Sequence, residues 1–270
     1  MARQTALREG GFTLTEAIIV IVIMGILFAA VAIFIQRPIK GYFDTVRRAQ
    51  LVDIADTALQ RISRDVRLAL PNSVRIANSG GKTYLEFLLT SGGGRYRADG
   101  PGNVLAAGTL VTNFDVLGPM PTFSGGESIV VFNLFSDPAA TSANAYIGDN
   151  RATYSSNNGT AITLAPPGKT FPFDSPAHRF QVVQYPVTYA CDQTPGGVLR
   201  RYWGYTIASN QPTPPAGVVS QALLASNVSC SFSYAAGASQ RDAVLVISAS
   251  LTLGGETVSL FKQVHVNNVP

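Results

Sequence analysis

The chain has 270 residues, of which 46% are hydrophobic and 13% charged, and its formal net charge is +4. The length allows one large domain or two small ones, and the apolar surplus excludes an ordinary soluble composition. The excess positive charge lies within residues 37–75, where arginines alternate with aspartates. This pattern is typical of a solvated helix face, and its lack of interleaved aromatic residues argues against nucleic acid as a partner.

The first predicted element is an uncharged run over residues 17–35. As a helix, this run spans about 28 Å, which matches the hydrocarbon core of a bilayer. A cleaved secretory signal is the alternative, but its apolar part is shorter, at about 7 to 15 residues, and ends in a small-x-small cleavage site. Here the run ends at Gln36-Arg37-Pro38. We predict a membrane-spanning and assembly helix over residues 12–36.

The helical pattern continues after Pro38 as an amphipathic segment over residues 37–72. Apolar residues recur every three or four positions and form one stripe, which comprises Leu51, Ala55, Ala58, Ile62, Val66 and Ala69. Pro38 and Gly41 are the expected bending points, and Pro71 is the expected stop. The first part of the helix therefore requires lipid or other helices, and the second part requires a packed domain.

From residue 74 the pattern changes to alternating polarity and turn residues. The predicted strands are 83–90, 128–135, 160–164, 179–191, 198–207, 242–253 and 256–266. Gly254-Gly255 gives the strongest hairpin signal, whereas residues 136–177 otherwise resemble long surface loops. We predict an α+β protein in which the long N-terminal helix packs on an antiparallel β-sheet head of residues 73–270.

The two cysteines, Cys191 and Cys230, both lie in this β-rich region. In an oxidising compartment they are expected to form a disulfide, and two buried thiols are the alternative. The cysteines do not have metal-ligand spacing. Asp149-Asn150 and Asn157-Asn158 lack the oxygen spacing of a recognised calcium loop, which leaves calcium binding there undecided.

Candidate catalytic residues are few. His178 and His265 have no cysteine or acid at ligand spacing, and the chain has no phosphate loop, G-x-S-x-G motif or paired carboxylates. We therefore expect no enzyme, no cofactor and no metal. Trp203 and Tyr205, with Tyr202, would form an exposed recognition patch or, as strand alternation suggests more simply, pack inside.

The start of the chain resembles a known processing signal. Gly11-Phe12-Thr13-Leu14-Thr15-Glu16, with a short polar leader before it and the apolar helix after it, is similar to the class III signal of type IV pilins and type II secretion pseudopilins. This resemblance implies that a prepilin peptidase removes residues 1–11 by cutting between Gly11 and Phe12, and that Phe12 is N-methylated. Many members have Lys or Arg before the glycine, whereas this chain has Gly10.

Residues 41–76 and 259–270 are also similar to the "O" type of minor pilin encoded with the mannose-sensitive haemagglutinin (MSHA) type of type IVa pilus. The resemblance implies a single-pass inner-membrane protein with its head in the periplasm, assembled into an extracellular pilus or a periplasmic pseudopilus. The implied partners are other minor and major pilins, the inner-membrane assembly platform and membrane lipid. A subunit of a type II secretion pseudopilus and a tip adhesin for a surface, glycan or DNA are the alternatives.

Glu16 is a lone carboxylate beside the apolar run, which is a costly position and by itself a sign of function. One interpretation is structural, because an acid in the first turn favours a helix N-terminus. The resemblance implies another, in which Glu16 attracts the positively charged amine of Phe12 on a neighbouring subunit during assembly. Removal of either charge would then leave the other buried and unpaired.

Overall fold

The computed structural model describes residues 11–217, 220–236 and 242–270. The chain divides into two compact units, Met1–Ala49 and Gln50–Pro270. One helix, α1 (Leu14–Arg67), contributes to both units, and the strands all follow it within the second. A long N-terminal helix and a large antiparallel sheet confirm the predicted α+β layout.

The strands form one large sheet and one small ribbon. They are β1 (Arg75–Ser79), β2 (Lys82–Tyr96), β3 (Leu110–Val111), β4 (Asn113–Leu117), β5 (Ser128–Val131), β6 (Arg151–Asn157), β7 (Ala161–Leu164), β8 (Lys169–Thr170), β9 (Arg179–Asp192), β10 (Gly197–Trp203), β11 (Ser220–Ala236), β12 (Asp242–Leu253) and β13 (Glu256–Asn267). In the described residues the large sheet has 11 strands in the order β1-β2-β4-β7-β6-β5-β9-β10-β11-β12-β13, with a further β2–β9 pairing. Strands β3 and β8 form the ribbon.

The first unit contains the apolar part of α1. Most large apolar side chains between Ile18 and Phe43 are exposed there. Its most apolar stretch has a mean hydropathy of 3.4, and α1 is the one helix in the described residues that is long and apolar enough to cross a membrane. The length and composition of this helix are consistent with a single-pass membrane anchor of a pilin.

The second unit buries the other part of α1. All six stripe residues are buried, as the periodicity predicts. They share a core with the sheet that includes Phe87 and Leu89 on β2, Val187 and Tyr189 on β9, and Ile247 on β12. The amphipathic half of the helix therefore packs on the sheet, and burial of its apolar stripe accounts for its stability.

Helix α1 ends at Arg67, before the expected stop at Pro71. After it, the backbone turns to pair with β2: Leu70 N–H donates to Leu88 O at 2.8 Å, and Thr90 N–H donates to Leu68 O at 2.9 Å. These bonds provide partners for backbone groups that leave the helix. The helix is therefore ended by pairing with the sheet, and the amphipathic segment is shorter than the sequence suggests.

Asn72 links this junction to the far end of the chain. Its backbone N–H donates to Asn268 Oδ1 at 3.1 Å, and its side-chain amide donates to Asn133 O at 2.9 Å and to Asn268 O at 3.1 Å. Asn268 in turn donates to the Tyr234 hydroxyl at 2.9 Å. Asn72 has a φ of 58°, a left-handed conformation that asparagine tolerates. One side chain thus joins three distant segments of the head.

Strand β2 extends beyond the predicted limit at residue 90. The three glycines 92–94, expected to end the strand, lie inside it and pair with β9. A Cβ atom on Gly93 would lie 2.6 Å from Phe180 O, and one on Gly94 would lie 2.9 Å from the Phe180 ring. The glycines therefore allow β2 and β9 to approach each other closely, whereas the sequence predicted a turn at these residues.

The prediction for residues 136–177 was wrong in part. Ala143, Ala145 and Tyr146 are fully or almost fully buried, and β6 and β8 lie in the same region. Tyr146 packs in a small core with Leu70 and Leu88. Strand β5 also ends at Val131, earlier than expected, because the chain turns at Phe132, which has a φ of 54°.

Candidate functional site

The N-terminus of α1 is closed by reciprocal hydrogen bonds between Thr13 and Glu16. Glu16 N–H donates to Thr13 Oγ1 at 3.3 Å, while Thr13 N–H donates to Glu16 Oε2 at 3.4 Å and its hydroxyl donates to the same oxygen at 3.3 Å. This is a capping box, in which an N-cap Thr and the Glu three residues later satisfy the first free amides of a helix. The contacts described for Glu16 use Oε2, which leaves Oε1 for another partner.

The predicted cleavage junction lies just outside the helix. Gly11 and Phe12 precede the first helical residue, Leu14, and are not part of a helix or strand. The Phe12 side chain is 74% exposed, and open space surrounds Gly11 where a Cβ atom would lie. A protease that needs an extended substrate finds no helical hydrogen bonds to break at this junction.

The apolar residues after Glu16 have no side-chain core around them in the described structure. Ile18, Ile19 and Ile26 are each more than half exposed, and no atom lies within 4 Å of the Cβ position of Gly25. In water such a surface is unfavourable by about 25 cal/mol for each Å². The helix therefore requires an apolar environment, from lipid or from neighbouring helices.

Cys191 and Cys230 form a disulfide between β9 and β11, with their Cα atoms 5.9 Å apart. Strand β10 lies between these strands but begins at Gly197, which pairs with Val228. Cys191 lies opposite Leu199 of β10, and Cys230 lies two residues beyond Val228, so the disulfide cross-links the two neighbours of β10 near the start of that strand. No free cysteine remains in the described residues.

A buried charged network joins the helix to the sheet within the second unit. Asp65, on the face of α1 opposite to solvent, accepts hydrogen bonds from Arg201 Nε at 2.8 Å and from the Tyr189 hydroxyl at 2.7 Å. Arg61 Nε lies 3.3 Å from the other carboxylate oxygen. Burial, and then the nearby Asp65 carboxylate, raise the pKa of Tyr189, which keeps its hydroxyl protonated as a donor. Arg201 also stacks on Trp203, 4.6 Å from the ring centroid.

A second buried pair, Arg75 and Glu86, ties β1 and β2 to the loop after β10. Arg75 Nε and Nη2 donate to the Glu86 oxygens at 3.3 and 3.2 Å. Nη2 also donates to Ala208 O at 2.9 Å, and Nη1 donates to Ser209 O at 2.6 Å. Burial raises the pKa of Glu86, and Arg75 opposes this effect. Arg75 also lies over the Tyr146 ring, with its guanidinium carbon 3.6 Å from the ring centroid. Tyr205, on the loop after β10, is buried. The Arg75 and Glu86 side chains therefore make structural contacts that hold β1, β2 and the loop after β10 together.

The remaining candidates make structural contacts or lie on the surface. Asp149 accepts hydrogen bonds from the backbone amides of Ala143 and Asn144 at 2.6 and 2.9 Å, so its carboxylate holds a loop. His178 packs edge-on against Tyr96, and His265 is exposed on β13. In the part of the chain that is described, no cluster of three His, Cys, Asp or Glu side chains is placed to hold a metal ion.

Comparison with known proteins adds one finding. Residues 7–32 match the model of the prokaryotic N-terminal methylation motif. This motif is the class III signal of type IV pilin-like proteins, and it indicates a pilin-like or pseudopilin-like protein that prepilin peptidase processes and that assembles with other pilins. It suggests a structural rather than a catalytic protein. Neither a curated protein nor a solved structure matches the chain.

Sequence reasoning missed the buried network around Asp65. In the sequence, Asp65 alternates with arginines and was interpreted as part of a solvated face, whereas it is buried. Its partners, Arg201 and Tyr189, lie more than 120 positions away. A weak signal was present, because Arg201 alternates with Leu199 and Trp203 in a predicted strand and so shares their face. The predicted inward packing of Trp203 and Tyr205 agrees with the structure, in which Trp203 is half-buried and Tyr205 is buried.

Proposed function

We propose that this protein is a minor pilin or pseudopilin, a structural subunit that assembles through α1 into a filament of other pilins. The observation that carries the proposal is the methylation motif over residues 7–32, which includes the capped start of an exposed apolar helix. The folded second unit supplies the head that such a subunit presents. Its buried charges and its disulfide serve stability rather than chemistry.

Assembly depends on two groups at the start of α1. Cleavage after Gly11 creates a positively charged amine on Phe12, and Glu16 Oε1 has no described hydrogen bond with which that amine would compete. In a bundle of helices, Glu16 of one subunit attracts the amine of the next. Breaking such a buried pair costs about 3 to 5 kcal/mol because one charge is left alone.

We further propose that the filament is a type IV pilus of the MSHA type and that the protein acts at pilus initiation or at the tip. The support is the similarity of residues 41–76 and 259–270 to minor pilins of that system. The protein then resides in the inner membrane with its head in the periplasm, where it meets the assembly platform and the other minor pilins. After assembly it becomes part of an extracellular pilus.

The test separates the charge of Glu16 from its capping role. Glu16→Ala removes both, whereas Glu16→Gln keeps a side chain that can complete a capping box. We expect both variants to insert in the membrane and both to fall by about 100-fold or more in sheared filaments, because the ion pair is lost. Full incorporation of Glu16→Gln would show that capping, not charge, is the function of this residue.

The processing step has its own test. The intact mass and N-terminal sequence of the protein from host membranes should show a chain that begins with methylated Phe12. A chain that begins at Met1, or one cut after residue 35, would overturn the proposal. A Gly10→Lys variant should be cut at the same site. Its processing should be faster if Gly10, the departure from the usual signal, limits the rate.

A further inference from the structure

A basic cavity lies in the second unit, between the last turns of α1 and the sheet. Its volume is about 810 Å³, and its lining includes Arg61, Arg64 and Arg67 from the helix and Lys262 from β13. None of the described residues that line it is an aspartate or a glutamate. This cavity, which we call the basic groove, therefore concentrates positive charge in one concave surface.

The cations of the basic groove are largely unused by the fold. Arg64, Arg67 and Lys262 make no ion pair with the residues that the structure describes. Arg61 differs from them, because its buried Nε forms an ion pair with Asp65 Oδ1 at 3.3 Å. The helix dipole explains why arginines occupy the last turn of α1. It does not explain the lysine that β13 adds to the same groove.

The rest of the lining identifies the kind of partner. Ala58, Leu68 and Leu224 provide apolar contact, and Leu68 is half exposed. No aromatic side chain lines the groove among the described residues, so it lacks the stacking platform by which proteins hold single-stranded nucleic acid. Apolar contact surrounded by charged groups is typical of a protein interface.

We propose that the basic groove binds an acidic segment of a neighbouring protein subunit. Aspartate or glutamate carboxylates of that segment pair with Arg64, Arg67 and Lys262. Apolar side chains of the segment contact Leu68 and Leu224. That this neighbour belongs to the same filament rests on the proposed function, whereas the chemistry of recognition rests on the basic groove alone.

The first experiment measures binding to the full chain in detergent micelles by fluorescence anisotropy. The probes are a synthetic peptide of alternating glutamate and leucine and a single-stranded oligonucleotide of equal charge. We expect the peptide to bind more tightly, and the Arg64→Glu/Lys262→Glu variant to weaken it by about tenfold or more. Absence of peptide binding, or tighter binding of the oligonucleotide, would overturn the proposal.

A matched control corrects for net charge. Arg95 and Arg179 are exposed and face each other on β2 and β9, and they do not line the groove. Arg95→Glu/Arg179→Glu changes the net charge by the same amount and should alter peptide binding by less than about twofold. An equal loss in both variants would show nonspecific attraction. Lys262→Glu alone, which leaves the helix end intact, should still weaken binding if the groove is the site.

A second experiment tests the source of the segment in the host. A photoreactive amino acid at Leu68 should crosslink, in sheared filaments, to an acidic segment of another subunit, which mass spectrometry identifies. Crosslinks only to lipid or to a segment without acids would contradict the proposal. A chain that binds the peptide but is absent from filaments refutes the proposed function and leaves the groove standing, and incorporation without peptide binding refutes the groove.

Discussion

The two parts of α1 have the same secondary structure and opposite environments. Between Ile18 and Phe43 most large apolar side chains are exposed, whereas the stripe from Leu51 to Val66 is buried against the sheet. The first part is apolar on all sides, and the second is apolar on one side only. Helix formation is thus a local property of the whole segment, and the distribution of apolar residues decides what each part contacts.

The largest expected effect concerns the charged contact of the buried part. Asp65→Ala removes the acceptor of Arg201 and Tyr189 and leaves a buried guanidinium unpaired, which should lower the free energy of unfolding by about 5 kcal/mol. Urea unfolding of the full chain in micelles, followed by fluorescence of Trp203, measures the loss. The exposed Asp53→Ala is the control and should change it by less than about 0.5 kcal/mol. A cost near the control value would refute the network's contribution.

The disulfide should contribute nearly as much, and only to the second unit. Cys191 and Cys230 are 39 positions apart, and a closed loop of this length stabilises by about 4 kcal/mol in the chain-entropy model. Cys191→Ala/Cys230→Ala should therefore unfold at lower urea concentration than the oxidised chain. Dithiothreitol should destabilise the wild type and leave the variant unchanged. Two reactive thiols in the denatured, unreduced protein would exclude the disulfide.

A pair of isoleucines tests the comparison directly. Ile62 is 0% exposed and Ile26 is 65% exposed. Ile62→Ala should destabilise the head by about 3 kcal/mol, because it removes buried methyl groups and leaves a cavity. Ile26→Ala, which deletes the same atoms from the other part of α1, should leave the urea midpoint of the head unchanged. Equal effects would show that the two parts of the helix do not differ as described.

The smallest effect is a pH dependence from Glu86. Burial raises the pKa of this carboxyl in the folded state, so folding takes up a proton between its unfolded and folded values. Its contribution to stability is greatest below the unfolded value and falls as pH rises through the folded value. The free energies of unfolding of the wild type and of Glu86→Gln should therefore differ in their slope against pH above pH 4.5, by less than about 1.4 kcal/mol per pH unit. Parallel stability curves would contradict the assignment.

The features that the sequence predicted correctly are those whose signals lie in neighbouring residues. The methylation motif, the apolar helix, the buried stripe and the Gly254-Gly255 hairpin are each defined by neighbouring residues. The family match supports the first, and the structure confirms the other three. The assembly function of Glu16 stays a prediction, although its capping bonds show that it also has a structural function. Both explanations of Glu16 weighed from the sequence are therefore compatible.

The missed features depend on distant partners. Strand β11 is the longest strand in the described residues, yet it was not predicted, because its small and polar residues lack the alternating apolar pattern of an isolated strand. It forms because β10 and β12 pair with it on both sides. The glycines of β2 and the buried Asp65 were misinterpreted for the same reason. In each case the explanation lies on another segment of the chain, which local sequence does not contain.

The hydrogen bonds between Asn72 and Asn268 affect the order in which the head is completed. They join residues that are 196 positions apart, so the hydrogen bonds of the turn at the end of α1 are complete only after residue 268 has been synthesised. Contacts of such separation slow folding, since a long loop must close before they form. The apolar part of α1 is therefore synthesised long before the head is able to close, and it leaves the ribosome while the head is still incomplete.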